Sequence, residues 1–544
     1  MGSGSSHPVA AGVPATITTL TIRNLTITPL ELKLVERLDP AHHALVKVSS
    51  WINGRRRSRE SNTSPRHSLA AGAQEEEQRP SSASQEIKDV AIQPFSEHIT
   101  TIYPPDQTRH EQLRLTFEAP GTGHRYSAEI PGLSHQSIVL KPISKPSSSP
   151  SEETKEFTAI YLPAHNYLAL FSSANLSSWM STLDPSLPLT SLSIPGTHNS
   201  PTHHVALPSV RCQSVPITTQ LANGVRFLDV RVSCPRFTPN STRAPELALV
   251  HSAFPVALTG THNLSTLLAT VYTFLTTHPT ETILLSLKRE GTGLGTDADL
   301  HRILTTHYVT PQEKWYTAPT IPTLSAARGK IVLVRRFCLH PSTSAATSEL
   351  GIDASVWPDN VPDGMCGSGL VRIQDWYGVG KTEDIALKTK FAQEGLERAA
   401  ERVHFPGAVA VPEPVRAPEA VLGRVVLGER RGAGGADDGP VLDGVQGDGK
   451  GPPLPPPLPL YINFLSASSF FSASCWPDKI AVKINPSMVE YLCMSHGAPG
   501  KGPGQLTIGD AATGIVVTDW VGHHGDWDLI RCIVGWNARL QLRQ

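Results

Sequence analysis

The strongest constraint on the fold is a succession of short apolar segments, each of which ends in a polar residue that can transfer a proton or bind a charged group. Three such segments follow one another at residues 192–194, 225–231 and 247–250. The polar residues at or just after their carboxyl ends are His198, Asp229 with Arg231, and His251. A barrel of parallel strands places its active site at the carboxyl ends of its strands. The pattern therefore predicts a polar site at one end of such a barrel.

The chain beyond residue 189 alternates between strand-like and helix-like patterns. Further buried strands are predicted at 282–288, 331–336, 371–375, 460–465 and 514–519, with helical spacing at 264–275 and 383–403. Eight strand candidates with mostly helical connections favour an α/β fold, a (β/α)8 TIM-type barrel. We expect residues 175–404 and 459–540 to form it.

The first part of the chain has a different pattern, that of short alternating strands separated by Pro and Gly turns. Residues 16–165 are predicted to form a smaller β-sandwich-like domain before the barrel. Within it, residues 50–88 are rich in Arg, Ser, Glu and Gln, which predicts a disordered insert. Residues 1–15 are expected to be a flexible tail. No catalytic constellation is evident in this domain.

Residues 405–458 fit neither pattern. They combine Gly, Pro, Val and charged residues without a period. This low-complexity insertion of doubtful structure is open to two interpretations, a disordered surface loop or an artefact of a faulty gene model.

Composition excludes several classes of protein. The net charge of −1 gives no reason to expect a nucleic-acid partner. The seven cysteines form no C-x-x-C pair, which favours reduced thiols and a cytoplasmic location. No apolar run approaches the ~20 residues of a spanning helix. Gly2 and Ser6 fit the pattern for N-myristoylation, which would make the protein a peripheral membrane protein, although a plain flexible tail is favoured. A monomer is expected.

The residues at the strand ends suit phosphoryl or acyl transfer. Two histidines can divide the transfer of a proton, one accepting it and one donating it. Arg231 suits a phosphate, because its planar guanidinium binds oxygens in pairs and keeps its charge. Asp519, at the end of the last strand, could orient and support His198. His203 and His204 lie in the loop after the first strand and are interpreted as peripheral.

Six motifs in order resemble one known family. They are SIPGTHNS, CQSVPITTQLANGVRFLDVR, LALVHS, HPTETILLSLKRE, ARGKIVLVRRF and IQDWYGV. Together they resemble the X domain of phosphatidylinositol-specific phospholipase C in its bacterial-like form. The resemblance implies a PLC-like phosphodiesterase, of the type found in fungi. The resemblance covers residues 189–380 and 460–520, roughly half of the chain.

The resemblance implies a role for each matching residue. His198 falls on the general base, His251 on the general acid, Arg231 on the phosphate-binding arginine, Asp229 on a neighbouring carboxylate and Asp519 on the partner of the base. The residues implied to bind substrate are Asn199, Lys288, Arg336, Asp375 and Tyr377. The implied reaction is attack of the inositol 2-hydroxyl on phosphorus, which gives a 1,2-cyclic phosphate and a released lipid.

The same resemblance bears on metal dependence. Calcium-dependent relatives carry carboxylates where this chain has Arg231 and Lys288, and calcium needs several oxygen ligands. No metal and no other cofactor is therefore expected, and calcium is disfavoured rather than excluded. Asn199 departs from the bacterial pattern, which has Asp after the first histidine, and leaves the metal question open.

Two other functions compete with a metal-independent phospholipase acting on phosphatidylinositol or a related phospholipid at a membrane surface. One is a catalytically impaired pseudoenzyme that binds lipid headgroups or protein. Retention of both histidines speaks against it, since binding alone needs no pair of proton carriers. The other is a metal-dependent glycerophosphodiesterase, which requires Glu-x-Asp where this chain has Asp229-x-Arg231.

Overall fold

The structure is a computed structural model that describes residues 19–38, 83–131, 137–143, 155–239, 243–310, 312–339, 350–404, 458–500 and 509–543. The predicted tail 1–15, Gly2 and nearly all of the 405–458 insertion lie outside the described residues. No helix among the described residues is long and apolar enough to cross a membrane.

The amino-terminal part consists of two five-stranded sheets. The first has the order β4 (Ser96–Ile99), β1 (Thr21–Leu25), β10 (Tyr167–Ser172), β9 (Phe157–Leu162), β7 (Ile138–Val139). The second has the order β3 (Ala83–Ile92), β2 (Leu30–Leu38), β5 (Gln112–Ala119), β6 (His124–Ile130), β8 (Lys141–Pro142). One apolar cluster contains side chains of both sheets, so the sheets share a core.

Two predicted boundaries in this part differ from the structure. The first sheet extends past residue 165, because β10 pairs with β1 and with β9. The second sheet includes residues 83–88, which were expected to be disordered, because β3 pairs with β2 along its length. A paired neighbouring strand can stabilise a polar segment whose composition alone does not favour a strand.

Among the described residues, the second part contains a series of eight parallel strands. Their hydrogen-bonded order is β18 (Ile352–Asp353), β17 (Ile331–Arg336), β15 (Ile283–Arg289), β12 (Phe227–Ser233), β11 (Ile194–Thr197), β22 (Ile515–Thr518), β21 (Leu460–Phe464), β20 (Val371–Gln374). Short strands at the edges are β13 (Ala248–His251), β14 (Phe254–Pro255), β16 (Trp315–Tyr316) and β19 (Gly364–Met365). Of these, β16 is a short ninth parallel strand, which pairs in parallel beside β17. The long aliphatic runs form strands here because parallel strands are buried on both faces.

Seven α-helices are described in this part. They are α1 (Ile217–Ala222), α2 (Leu264–Thr277), α3 (Asp297–Ile303), α4 (Leu324–Ala327), α5 (Asp384–Ala400), α6 (Pro477–Met494) and α7 (Asp528–Gly535). The predicted helices at 264–275 and 383–403 correspond to α2 and α5. Since α5 lies between β20 and β21, a helical connection is complete before the 405–458 insertion begins.

The predicted strand 247–250 is not a parallel barrel strand. It forms β13, which runs antiparallel to the end of β12 and makes a hairpin with β14. An antiparallel neighbour needs no crossover helix, so β13 can follow β12 directly. The eighth strand of the series is instead Ile352–Asp353 beside β17, a strand of two residues that is too short to leave a periodic pattern.

The set of parallel strands is not closed by backbone pairing among the described residues. A seam lies between β18 and β20, where other contacts join the two ends: Trp357 Nε1 donates to Asp375 at 2.9 Å, and the Asp375 N–H donates to the Val361 carbonyl at 2.9 Å. In the described parts of the two connections flanking β18 there is no α-helix. The mixed α/β fold is confirmed, whereas a regular, closed eightfold repeat is not.

Arg23 of β1 joins the two parts of the molecule. Its guanidinium is buried and donates to the Cys493 carbonyl at 3.1 Å and the His496 carbonyl at 2.9 Å, at the carboxyl end of α6. It also lies 5.6 Å from the centre of the Trp536 ring. A cation suits this position because carbonyl groups at a helix carboxyl end carry partial negative charge.

We expect Arg23→Met to lower the free energy of unfolding by about 3 kcal/mol, since two charge-assisted hydrogen bonds are lost and two buried carbonyls lose their donor. Urea denaturation measures this change. Arg109→Met is the control, because Arg109 is exposed and forms only a surface ion pair with Asp106. Equal stability of the two variants would contradict the assignment of Arg23 as the link between the two parts.

Candidate active site

The strand register brings the candidate residues to the same end of the sheet. Thr197 pairs with Thr518 across β11 and β22, so His198 and Asp519 follow neighbouring strands side by side. Each of three site residues is followed at once by a residue with positive φ: Asn199 at 41°, Ser252 after His251 at 53° and Trp520 at 59°. Strained turns of this kind are found preferentially at functional sites.

His198 is held by three side chains. Its Nδ1 lies 2.9 Å from Asp519 Oδ1, and its Nε2 lies 3.0 Å from Arg231 Nη2 and 3.1 Å from Asn199 Nδ2. The arginine and the amide are N–H donors, so Nε2 must offer its lone pair to them. The ring proton therefore lies on Nδ1, facing the carboxylate, and Nε2 is free of a proton.

The electrostatic surroundings of His198 favour the protonated, positively charged form of its ring. Burial lowers the pKa of His198, but the Asp519 carboxylate and then Cys212 outweigh it, and the pKa is raised to about 10. The two N–H donors at Nε2 act in the opposite sense, because they bind the neutral ring. In the neutral ring the Nε2 lone pair can take a proton, and the raised pKa reflects how strongly Asp519 stabilises the imidazolium that then forms.

Asp229 is the centre of a cluster of buried charges. Its Oδ1 accepts from Arg336 Nη1 at 3.1 Å, and its Oδ2 accepts from Arg231 Nη2 at 3.3 Å and from the Asn199 N–H at 3.2 Å. Burial alone would raise the pKa of Asp229, but Arg231 and Arg336 hold it well below its usual range. The carboxylate is therefore ionised and positions both guanidinium groups.

Glu290 is a site residue that the sequence analysis missed. Both of its oxygens lie 3.3 Å from Arg231 Nη1, and it also accepts from Lys288 Nζ at 3.0 Å and the Ser252 N–H at 2.8 Å. Burial would raise the pKa of Glu290, but the nearby Arg231 and Lys288 outweigh this effect, and the pKa is lowered to about 2. Its position two residues after Lys288 was a usable signal, because alternate residues of a strand share a face.

His251 faces His198 across the site. The ring centroids are 5.9 Å apart and the ring planes are nearly perpendicular, at 87°. The His251 Nδ1 donates to the Val210 carbonyl at 2.8 Å, which leaves Nε2 as the nitrogen that can exchange a proton with a substrate. Although β13 is not a barrel strand, its antiparallel pairing with β12 still delivers this histidine to the site.

The remaining predicted residues lie on the other side of Arg336. The Arg336 guanidinium lies 3.7 Å from the centre of the Trp357 ring, and Trp357 in turn donates to Asp375. Burial raises the pKa of Asp375. Tyr377 is partly exposed and donates its hydroxyl to Asp359 at 2.8 Å, so it lies farther out than the cluster around Asp229.

Two more buried polar residues support the site without having been predicted. Gln213 donates to the carbonyls of His198 at 2.8 Å and Thr518 at 2.9 Å, which ties the turn after β11 to β22. Lys388 reaches from α5 to Gln374 at 3.0 Å, and burial lowers its pKa to about 7. Neither contact has a sequence signal, since each joins distant segments.

His203 and His204 have other partners. Their rings lie 3.9 Å apart, and His204 stacks on His262 at 3.7 Å. Burial lowers the pKa of His203 to about 4.

The sequence of this segment matches a known family model. Residues 185–337 match the model described as "Phosphatidylinositol-specific phospholipase C, X domain". Residues 185–337 are therefore similar to this X domain. The matched residues include His198, Asp229, Arg231, His251 and Glu290, whereas Asp519 lies on a strand beyond the match.

Two curated bacterial proteins are also similar to part of the chain. The chain is 30% identical over 174 residues to a 1-phosphatidylinositol phosphodiesterase of Listeria monocytogenes, covering 30% of this chain and 50% of that protein. It is 29% identical over 217 residues to a protein of the same name from Staphylococcus aureus, covering 37% of this chain and 64% of that protein. The chain thus matches half to somewhat under two thirds of the length of these relatives.

Solved structures of X-domain proteins are also similar. A phosphatidylinositol-specific phospholipase C from Staphylococcus aureus, with pentafluoro-Phe incorporated, has a TM-score of 0.45 and 21% identity, covering 66% of this chain and 97% of that chain. The Listeria monocytogenes phosphatidylinositol-specific phospholipase C has a TM-score of 0.43 and 19% identity, and the match covers 67% of this chain and 99% of that chain.

We expect Asp519→Asn to lower the pKa of His198 from about 10 to near or below 6.5, because burial then acts without the carboxylate. Imidazole NMR signals followed across a pH titration measure this change. His203 is the internal reference, with its pKa staying near 4. An unchanged pKa of His198 would show that Asp519 does not support its charged form.

The same substitution changes how stability depends on pH. The folded pKa of His198 lies above the unfolded value of 6.5, so its contribution is fully present below pH 6.5 and is lost as pH rises through about 10. Asp519→Asn removes this contribution, and the free energy of unfolding should then decline less between these two pH values.

Proposed function

We propose that the protein is a phosphatidylinositol-specific phospholipase C that cleaves its substrate through a 1,2-cyclic inositol phosphate. One observation carries the proposal: two imidazoles 5.9 Å apart face each other, and one of them touches an arginine. Rings this close can both reach one phosphodiester bound beside them, one as proton acceptor and the other as proton donor. Relatives named 1-phosphatidylinositol phosphodiesterase support the substrate class.

The proposed mechanism follows from the hydrogen bonds. His198 Nε2 takes the proton of the inositol 2-hydroxyl, and the imidazolium that forms is stabilised by Asp519 at Nδ1. Arg231, already 3.0 Å from His198, binds the phosphate oxygens and stabilises their developing charge. His251 gives a proton from Nε2 to the leaving diacylglycerol oxygen. Lysis of the cyclic phosphate by water reverses the two histidine roles.

The charge cluster supports catalysis without calcium. Asp229 is neutralised by Arg231 and Arg336, and Glu290 by Arg231 and Lys288. Calcium requires six to eight oxygen ligands, and these carboxylates already bind cations within the chain. We therefore propose that Arg231 supplies the positive charge at the phosphate.

The inositol ring is proposed to lie between the cluster around Asp229 and Tyr377. Lys288 and Arg336 offer N–H donors to ring hydroxyls, Asp375 offers an acceptor, and Tyr377 offers an aromatic face. Asn199 acts on the base, since its amide donates to His198 and its left-handed backbone conformation turns the chain. Asparagine adopts that conformation more readily than most residues.

The pseudoenzyme alternative is less well supported. A headgroup-binding module has no need for a base oriented by a carboxylate or for a second imidazole at right angles to it. The glycerophosphodiesterase alternative requires a carboxylate at the position of Arg231, whose guanidinium instead binds Asp229 and Glu290.

We expect His198→Ala and His251→Ala each to lower the cleavage of phosphatidylinositol by about 100-fold or more, because each removes a proton carrier. The assay is release of inositol 1,2-cyclic phosphate from mixed micelles in EDTA, followed by ³¹P NMR. His204→Gln, a change in the stacked histidine cluster, should retain wild-type activity. Activity that survives loss of either histidine, or that disappears in EDTA, would reject the mechanism.

An apolar rim beside the site suits a lipid surface. Phe470 and Phe471 follow β21 at its carboxyl end, and Phe471 is 95% exposed. Phe470 stacks on Phe254, three residues after His251, with ring centroids 5.7 Å apart. We propose that this rim inserts into the bilayer that holds the substrate, so that the protein acts as a peripheral membrane protein.

We expect the double change Phe470→Ser with Phe471→Ser to weaken binding to phosphatidylinositol vesicles by at least about tenfold, since one buried phenylalanine contributes about 1.5 to 3 kcal/mol. Vesicle sedimentation measures this change. Ile99→Ser, an exposed apolar residue of β4, is the control. Hydrolysis of soluble cyclic inositol phosphate should be equal in all three proteins. Unchanged vesicle binding would show that the rim does not contact lipid.

A further inference from the structure

We propose that His198, Cys212 and Asp519 form a binding site for a thiophilic divalent cation such as zinc, and that the bound ion inhibits the protein. The inhibitory part rests on the proposed function, because it requires His198 to be the catalytic base. Cation binding itself depends only on the geometry of the three side chains.

The three side chains converge. One ligand atom from each of His198, Cys212 and Asp519 lies within 4.8 Å of the other two. Among the described residues, this is the group of histidine, cysteine and acidic side chains that meets the geometry of a metal site. Cys212 is completely buried, and Asp519 is 3% exposed. The ligands come from segments around residues 198, 212 and 519, so only the folded chain brings them together.

Asp519 has an unused ligand atom. Its Oδ1 binds His198, but its Oδ2 is buried without a hydrogen-bond partner. The Oδ1 of Asn199, whose amide nitrogen lies 3.1 Å from His198 and 3.8 Å from Cys212 Sγ, is likewise buried and unpartnered. Buried oxygen atoms without a partner are uncommon and costly. Two of them beside the same imidazole and thiol indicate a place where a cation can bind.

The chemistry of the ligands selects the type of ion. One sulfur, one nitrogen and one carboxylate oxygen match the preference of zinc, which commonly binds three protein ligands and one water. Zinc bond lengths of about 2.0 to 2.3 Å place tetrahedral ligand atoms roughly 3.5 Å apart. The cluster needs to contract by about 1 Å at its widest separation. Calcium and magnesium prefer sets of oxygen ligands and do not suit this group.

Binding requires no redox change. Zinc replaces the proton of the Cys212 thiol, so the S–H bond breaks, an S–Zn bond forms and the proton passes to solvent. At His198 the ion takes the place of the Nδ1 proton that faces Asp519; that proton moves to Nε2, the Arg231 and Asn199 donors turn away from Nε2, and Asp519 donates a carboxylate oxygen. Once His198 is coordinated and Asp519 is engaged by the ion, the imidazole is no longer available to take a proton from a substrate hydroxyl.

Cobalt(II) is the probe for binding, because a cobalt–thiolate bond gives an intense charge-transfer band in the near ultraviolet. The full chain, freed of metal by chelation, should develop this band on titration with cobalt(II). Zinc should abolish it, whereas calcium and magnesium should not. Cys212→Ser should lose the band. Cys338→Ser is the matched control, because Cys338 is an exposed free thiol, and it should retain the band.

Absence of the band from the wild-type protein would overturn the proposal, as would its persistence in Cys212→Ser. The wild-type result does not depend on how the variant folds, and it does not depend on the substrate. A protein that binds cobalt(II) through Cys212 but does not cleave phosphatidylinositol would retain the cation site and reject the proposed function.

Inhibition is measured separately, with each protein compared to its own rate without metal. Zinc should inhibit wild-type and Cys338→Ser proteins at the same concentration, and EDTA should restore both. Cys212→Ser should need about 100-fold more zinc, since loss of a ligand costs at least as much affinity as loss of a supporting hydrogen bond. Equal sensitivity of Cys212→Ser and the wild type would overturn the inhibitory role.

Discussion

The buried carboxylate of Asp229 is the interaction on which the rest of the site depends. An isolated charge in a protein interior costs several kcal/mol, and it persists only if opposite charges and N–H donors surround it. Asp229 meets this requirement with Arg231 of its own strand, Arg336 of β17 and the backbone of Asn199 after β11. The strands that carry these groups must therefore keep their register, because otherwise the buried negative charge of Asp229 would lose its compensating partners.

The same cluster determines the electrostatics around His198. Arg231 divides its donors among Asp229, Glu290 and His198, so a cation lies against the imidazole that a second carboxylate supports from behind. The guanidinium of Arg231 and the imidazole of His198 are thus joined in one continuous hydrogen-bonded group. The group combines charges from several strands, so the site forms only when the parallel sheet has assembled.

Part of this arrangement was predictable because parallel strands share a direction. Knowing that β11, β12 and β22 are parallel is enough to place His198, Arg231 and Asp519 at one end. The prediction failed where pairing, not periodicity, decides the structure. The pattern at 247–250 is equally compatible with a parallel or an antiparallel strand, and the polar residues at 83–88 become a strand because β2 offers them partners.

The sequence by itself determined which residue types stand at the strand ends, and with them the resemblance of residues 185–337 to the X domain. Local pattern suffices there, because a buried strand and the turn after it are read from consecutive residues. Only the tertiary structure decided that Cys212, Glu290 and Trp357 join the site and that β13 runs antiparallel. It also decided that, in the part of the chain that the structure describes, no backbone pairing joins β18 to β20. Those outcomes depend on contacts between segments far apart in the chain, where side-chain reach and packing leave no periodic trace in the sequence.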